Sequence, residues 1–349
     1  MQDAGDRPIV ALEAQLGSPG PVDPGEQTRG NGRVKWALRR VLLSILVLFG
    51  VSLLVFVATQ ALPGDPAVQI LGRGALPEQL DALRAQLGLD RPLLSQYGHW
   101  LGNLLTGSLG ESLTSPQSVS SLLLDRGLAS LALVLASALI SIPLAVVLGS
   151  IGAVHRDRPF DHSSQGVLLV LTALPEFVIG LGLLILFGTT VLQILPSVAL
   201  IPSGGSAFTH PRELALPVLA LVLAVLPYLT RLQRAAMIDV LDSDYIQMAR
   251  LKGLPERVVI RRHALRNSVV PVVQGSALTL IYLTGGIVAI EYLFAYPGLG
   301  SALTTAVAGR DLPVVQAIVL LLAFVYVVIN LVADLLTVML VPRLRTSRG

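Results

Sequence analysis

The chain has 349 residues, of which 53% are hydrophobic and only 13% charged, and its mean hydropathy is +0.72. So few charges cannot cover a water-soluble globule of this size, which excludes an ordinary soluble domain and leaves a polytopic membrane protein. The net charge of +3 follows from how Lys and Arg are sorted across a membrane and does not indicate nucleic-acid affinity; the lack of cysteine excludes disulfides and cysteine-ligated metals.

Residues 1–34 mix Gly, Pro, Asp and Glu around one short apolar run with no signal-peptide core, which predicts a flexible cytoplasmic tail. Six apolar stretches are long enough to cross ~30 Å of hydrocarbon at ~1.5 Å per residue. They lie near 41–62, 127–153, 166–194, 214–230, 269–292 and 313–340. Pro143, Pro175, Pro217, Pro227, Pro271 and Pro313 begin or interrupt them, which predicts kinked helices around a cavity. With the N-terminus inside, only Arg73, Arg84, Arg91, Arg126, Arg212 and Arg310 of the 25 Lys and Arg fall outside, so both termini are predicted to be cytoplasmic.

This gives a first transmembrane helix within 35–62 and an extracytoplasmic helical subdomain over 63–126. A membrane core of five helices follows over 127–345, with a short cytoplasmic end at 346–349. In the subdomain, Pro77 to Leu87 reads as a helix with Leu80, Leu83 and Leu87 aligned and Gly88 as its stop. Pro92 to Leu105 reads as another, with Leu93, Tyr97, Leu101 and Leu104 aligned. The last outside loop, Tyr292 to Pro313, turns at Pro297-Gly298 and carries a short amphipathic stretch ending at Arg310-Asp311, either a re-entrant gate or a turn. The final span is predicted to stop at Val341-Pro342-Arg343.

The segment from Asp244 to Pro271 is too polar to enter lipid and reads as a basic helix-turn-helix. Gly253 suits the left-handed position that closes one helix and Pro255 the first turn of the next. Asp244 and Gln247 are spaced for an N-cap pair, placing Tyr245, Met248 and Leu251 near one apolar face. Within the spans, Gln274, Ser276, Thr279, Tyr282, Thr284, Asn330, Asp334 and Glu176 are candidates for lining a pathway. Hydroxyls in membrane helices usually bond to their own backbone. Charged Glu176 and Asp334 are harder to dismiss, because charge in hydrocarbon is costly, and anchoring at an interface accounts for both as well as substrate contact does.

His155, His162 and His263 fall inside and His99 and His210 outside, without metal-site spacing, so neither a catalytic nor a metal site is expected. There is no phosphate-binding G-x-x-x-x-G-K-[ST] motif, and Lys35 and Lys252 lie outside any glycine-rich cradle, so the chain is not an ATPase. An ion-driven secondary transporter would favour inverted repeats and a midplane carboxylate, and no repeat is evident. An intramembrane protease would need a nucleophile with a base, or paired aspartates, and neither is evident.

Several motifs in order, from Arg39 to Arg345, resemble the permease subunits of bacterial dipeptide and oligopeptide ABC importers and the related nickel and glutathione permeases. They are Leu62-Pro63-Gly64-Asp65-Pro66; Leu87-Gly88-Leu89-Asp90-Arg91-Pro92 with Trp100-Leu101-Gly102-Asn103; Ala249-Arg250-Leu251-Lys252-Gly253-Leu254 with Arg262-His263-Ala264-Leu265-Arg266-Asn267; and Glu291 with Tyr296-Pro297-Gly298-Leu299-Gly300. The resemblance implies an all-α type I ABC importer fold with about six transmembrane helices in the bacterial inner membrane. It makes 236–268 the EAA coupling loop, with Gln247-Met248-Ala249 in place of Glu-Ala-Ala and Tyr245, Gln247, Met248, Ala249, Leu251 and Gly253 docking on the ATPase. It further implies a second homologous permease, two ATP-binding subunits that use ATP and Mg, and an extracytoplasmic substrate-binding lipoprotein. This chain itself would bind no cofactor. Gln274, Ser276, Thr279, Tyr282 and Asn330 are then the translocation-path candidates, with peptide as the expected cargo and nickel or glutathione as alternatives.

Overall fold

The computed structural model describes residues 26–61, 65–72, 74–199, 201 and 209–340. The proposed tail up to residue 25, the Leu62-Pro63-Gly64 part of the first motif and the Val341-Pro342-Arg343 stop with the end at 346–349 lie outside the described residues. Among the described residues there is no strand, only an isolated bridge between Glu111 and Ser118. The chain divides into two units, Met1–Val47 and Leu48–Gly349. The described part of the first is helical and belongs to helix α1, Glu26–Gln60.

Among the described residues, five helices are long and apolar enough to cross a membrane, or six when one bent pair counts as a single span. They are α1 from Leu38, α5 (Val119–Val154), α8 (Pro211–Leu241), α10 (Glu256–Leu293) and α12 (Leu312–Leu340) as far as Asp334. The bent pair is α6 (Pro159–Ala173) and α7 (Glu176–Thr189), which turn by 107° at Leu174-Pro175. The predicted single third span is therefore broken. Leu174 sits at φ −96°, ψ 130°, extended as a residue before proline must be, so the helix cannot run through it.

Between the spans lie α2 (Pro66–Leu71), α3 (Pro77–Leu87), α4 (Leu93–Leu105), α9 (Asp244–Leu251) and α11 (Leu299–Gly309). Gly88 closes α3 at φ +69°, as its position in the sequence suggested. On α4, Tyr97 is buried and meets Phe49, Phe56 and Trp100, and its hydroxyl lies 2.9 Å from Ser52 Oγ. Leu93, predicted to share that face, is exposed instead. Asp65 caps α2 by accepting from the Ala67 N–H and pairs with Arg84 of α3 at 2.6 Å.

Helix α8 is the most deeply buried span, with Leu216, Leu221, Leu229 and Met237 at its core. Its approach to α5 is close enough that a side chain at Gly149 would stand 2.6 Å from the Thr230 carbonyl and 2.7 Å from Gln233 Cβ. Gln233 is fully buried there and donates to Ser150 and Ser268, tying α5, α8 and α10 together.

Candidate functional site

The Asp244 to Ala264 segment forms a hairpin against the ends of α8 and α10. Ile246 and Ala249 turn inward and pack with Ala153, Met237, Val259 and Ala264. The remaining apolar side chains of α9 face out: Tyr245 is 44%, Met248 52% and Leu251 81% exposed. These positions, three apart, lie along one side of a helix, as the sequence predicted. Gln247 is also exposed, whereas Ala249 belongs to the inner face.

The start of α9 differs from expectation. Ser243 is its N-cap, Asp244 lies in the first turn, and Gln247 reaches back to the Asp242 carbonyl at 3.4 Å. An acidic group in the first turn still favours the helix through its dipole. Gly253 adopts φ +77° with open space around it, and Pro255 stands at the N-cap of α10, one position before its first turn. Arg250 pairs with Glu256 at 2.7 Å across that corner. From Val259 to Ala264 the first part of α10 is a π-helix, which joins the hairpin to the fifth span without a break.

A second feature lies at the break between α6 and α7. A cavity of about 440 Å³ is lined by Leu171, Thr172 and Leu174 of the broken span, Tyr228 and Arg231 of α8, and Thr279 and Tyr282 of α10, among others. Two of the five pathway candidates therefore meet there. Thr279 is buried and donates to the Gly275 carbonyl, while Tyr282 is half exposed and donates to Glu176 at 2.9 Å. Ser276 donates to its own helix at Val272, and Asn330 to its own at Tyr326; neither they nor Gln274 line this cavity. Arg231, predicted to lie in an inside loop, is within α8, because that helix runs ten residues beyond Arg231 to Leu241.

The third feature went unread in the sequence, although its letters stood in the motif. Glu291 is fully buried and accepts from Ser130 Oγ and from the Gly300 N–H, both at 2.6 Å, and from the Ser301 N–H at 3.3 Å. Ser130 in turn accepts from the Leu299 N–H at 2.8 Å, so one carboxylate and one hydroxyl satisfy the first amides of α11. Buried Tyr296 donates to the Ala129 carbonyl at 2.7 Å, and burial pushes its phenol above the ordinary range. At Gly298 any side chain would overlap the Glu291 carboxylate. The loop from Tyr292 to Pro313 thus holds a helix latched to α5 and α10. A glutamate seven residues before a Gly-Leu-Gly turn is the signal that marks it.

Residues 141–346 match the family model described as "Binding-protein-dependent transport system inner membrane component", and 33–134 match that of the N-terminal part of such membrane components. The chain belongs to this family. A protein of Brucella abortus (strain 2308), provisionally named as a peptide transport system permease, is 40% identical over 308 residues, 88% of this chain and 98% of that one. The glutathione transport system permease protein GsiC of Escherichia coli (strain K12) is 36% identical over 312 residues, 89% of this chain and 99% of its own. This chain is therefore a multi-pass inner membrane transport component with the type I ABC importer fold. The hairpin and Glu291 with the start of α11 fall inside the first matched segment, and Ser130, the latch's partner on α5, falls inside the second.

Proposed function

We propose that this inner membrane component is the permease subunit of an ATP-driven importer for dipeptides or oligopeptides. It forms half of the pathway beside a second, homologous permease, takes cargo from an extracytoplasmic binding lipoprotein, and is driven by two ATPase subunits that hold ATP and Mg. The observation that carries the reading is the outward stripe of Tyr245, Met248 and Leu251 on a helix whose inner face, Ile246 and Ala249, is anchored to the fourth and fifth spans. An apolar stripe on a polar hairpin fits a groove on a partner, and its anchoring lets the partner's motion reach the spans. In this reading the hairpin and both termini are cytoplasmic. The chain supplies no catalytic group of its own.

A second cargo reading, glutathione, is favoured by the similarity to GsiC. Both cargoes are short zwitterionic peptides in chemical terms. The test is purification of the tagged chain from its membrane in mild detergent, followed by reconstitution and uptake assays. Co-purifying ATPases, with ATP-dependent uptake of peptides or glutathione, are the expected outcome. A chain that purifies alone and moves neither cargo would sink the reading.

A further inference from the structure

The cavity at the break of the third span sets an arginine and two tyrosines among apolar neighbours. Arg231 donates from Nε to the Pro227 carbonyl at 3.3 Å and from Nη2 to Thr172 Oγ1 at 2.8 Å. Both partners are neutral, and the guanidinium fork keeps further N–H groups that match a carboxylate bidentately. Glu176, two residues past the bend, accepts from Tyr282, a residue of the cavity wall. Glu176 also lies over Gly286, where an added Cβ would come within 2.9 Å of its carboxylate oxygen. Tyr228 and Tyr282 are both about half exposed on the same cavity. Arg231 lines the cavity and Glu176 reaches its wall through Tyr282, and among the described residues the two make no ion pair with each other.

Ionisable groups on membrane-spanning helices that border a cavity most often belong to a cargo or ion pathway. Packing alone explains little here. Arg231 and Glu176 each meet a hydroxyl that an uncharged side chain of similar length would satisfy equally well. A volume of about 440 Å³ is in the range of small-molecule sites.

We propose that this cavity is a cargo-contact site for a zwitterion, in which Arg231 receives the carboxylate and Glu176, with the ring faces of Tyr228 and Tyr282, receives the ammonium group. Tyrosine faces attract cations, and the tyrosine hydroxyl already holds Glu176 in place. The cavity adjoins the bend, with Leu171, Thr172 and Leu174 on its wall. The assignment rests on the peptide reading above and names the groups that recognise the two ends of the cargo.

The test uses the complete transporter in proteoliposomes and a peptide that its binding protein accepts both as the free acid and as the C-terminal amide. Wild type is expected to move the free acid faster than the amide. Arg231→Gln is expected to lower free-acid uptake by about tenfold or more while the amide rate falls far less, since a charge-assisted bond to cargo is lost only for the acid. Arg231→Lys, which keeps the charge and loses the fork, is expected to retain a reduced preference and carries the test if the glutamine variant does not assemble. Equal acid and amide rates in wild type, or a preference unchanged in both variants, would overturn the assignment while leaving the peptide reading intact. A wild-type complex that moves no peptide at all would overturn that reading and this site with it.

Discussion

Glu291 and Gly300 fit each other across the start of α11: the Gly300 N–H donates to the Glu291 carboxylate at 2.6 Å, and Gly300 has no room for a side chain because the Val288 backbone stands against it. The clash is with a Cα atom, which cannot rotate away. Gly300→Ala is therefore expected to destabilise by about 1–3 kcal/mol through overpacking. Glu291→Ala removes the acceptor instead and leaves buried donors from Ser130 and Gly300 unmet, at about 1–3 kcal/mol for each group. Thermal melting in detergent would read both. Melting temperatures equal to wild type would mean that α11 is not held by this latch.

Arg234 and Asp161 join α8 to the start of α6 through two hydrogen bonds, of 2.7 and 2.5 Å, and Asp161 is almost wholly buried. Asp161 also accepts from the Asp157 N–H, which fixes the turn before α6. Arg234→Ala should cost about 3–5 kcal/mol because it strands a buried carboxylate, whereas Arg234→Ala combined with Asp161→Asn should recover part of that loss. The comparison needs the amount of folded protein in membranes and its melting temperature. A double variant no more stable than the single one would show that the pair acts through packing.

Outside the membrane the α2–α3 corner carries a pH signature. Burial raises the Asp65 carboxyl, but the hydrogen bond from Arg84, the Ala67 N–H and the Arg84 charge outweigh it and hold Asp65 below its ordinary value. A carboxyl lowered in the folded state stabilises fully above its unfolded value of about 3.9, and that contribution is lost as pH falls through the folded value. The corner is therefore expected to loosen below about pH 4. Hydrogen exchange over 65–91 at pH 5 and pH 3, corrected for intrinsic rates, would show it. Asp65→Asn should be looser at pH 5 and lack the change; a wild-type corner indifferent to pH would contradict the assignment.

Much of this architecture is legible in the sequence because each legible feature depends on local chemistry. The spans follow from apolar length, and the stops at Gly88 and Gly253 from the left-handed backbone that glycine tolerates. The alignment of Tyr245, Met248 and Leu251 follows from helical spacing. Features that depend on a distant partner are not legible. Hydropathy cannot tell a straight third span from one bent by 107°, since the two halves together are apolar enough to span either way, and Pro175 alone kinks some helices without breaking them. Helix α5 begins at Val119, before the predicted 127, because Asp125 and Arg126 stop a hydropathy window without stopping a helix. Arg231 and Glu176 were separable from ordinary interface charges only once the bend brought α6, α8 and α10 around one cavity.

The outward face of α9 gives the most direct test of coupling. Met248 is half exposed with Leu251 one turn on, and neither is needed by the core beneath, which is filled by Ile246 and Ala249. Met248→Asp therefore places a charge on a surface that is free in this chain and buried when a partner docks. Folding and insertion should be unaffected, because an exposed helical substitution usually changes stability by less than about 0.5 kcal/mol. Docking should fail, because an unpaired carboxylate would be buried in an apolar groove. Ile246→Ala is the contrasting variant: it opens a cavity under the helix and should cost about 2–5 kcal/mol of stability. Retention of ATPase subunits on the tagged chain and ATP-dependent uptake separate the two. Met248→Asp is expected to give a stable chain that loses both, and normal uptake by that variant would remove α9 from the coupling mechanism.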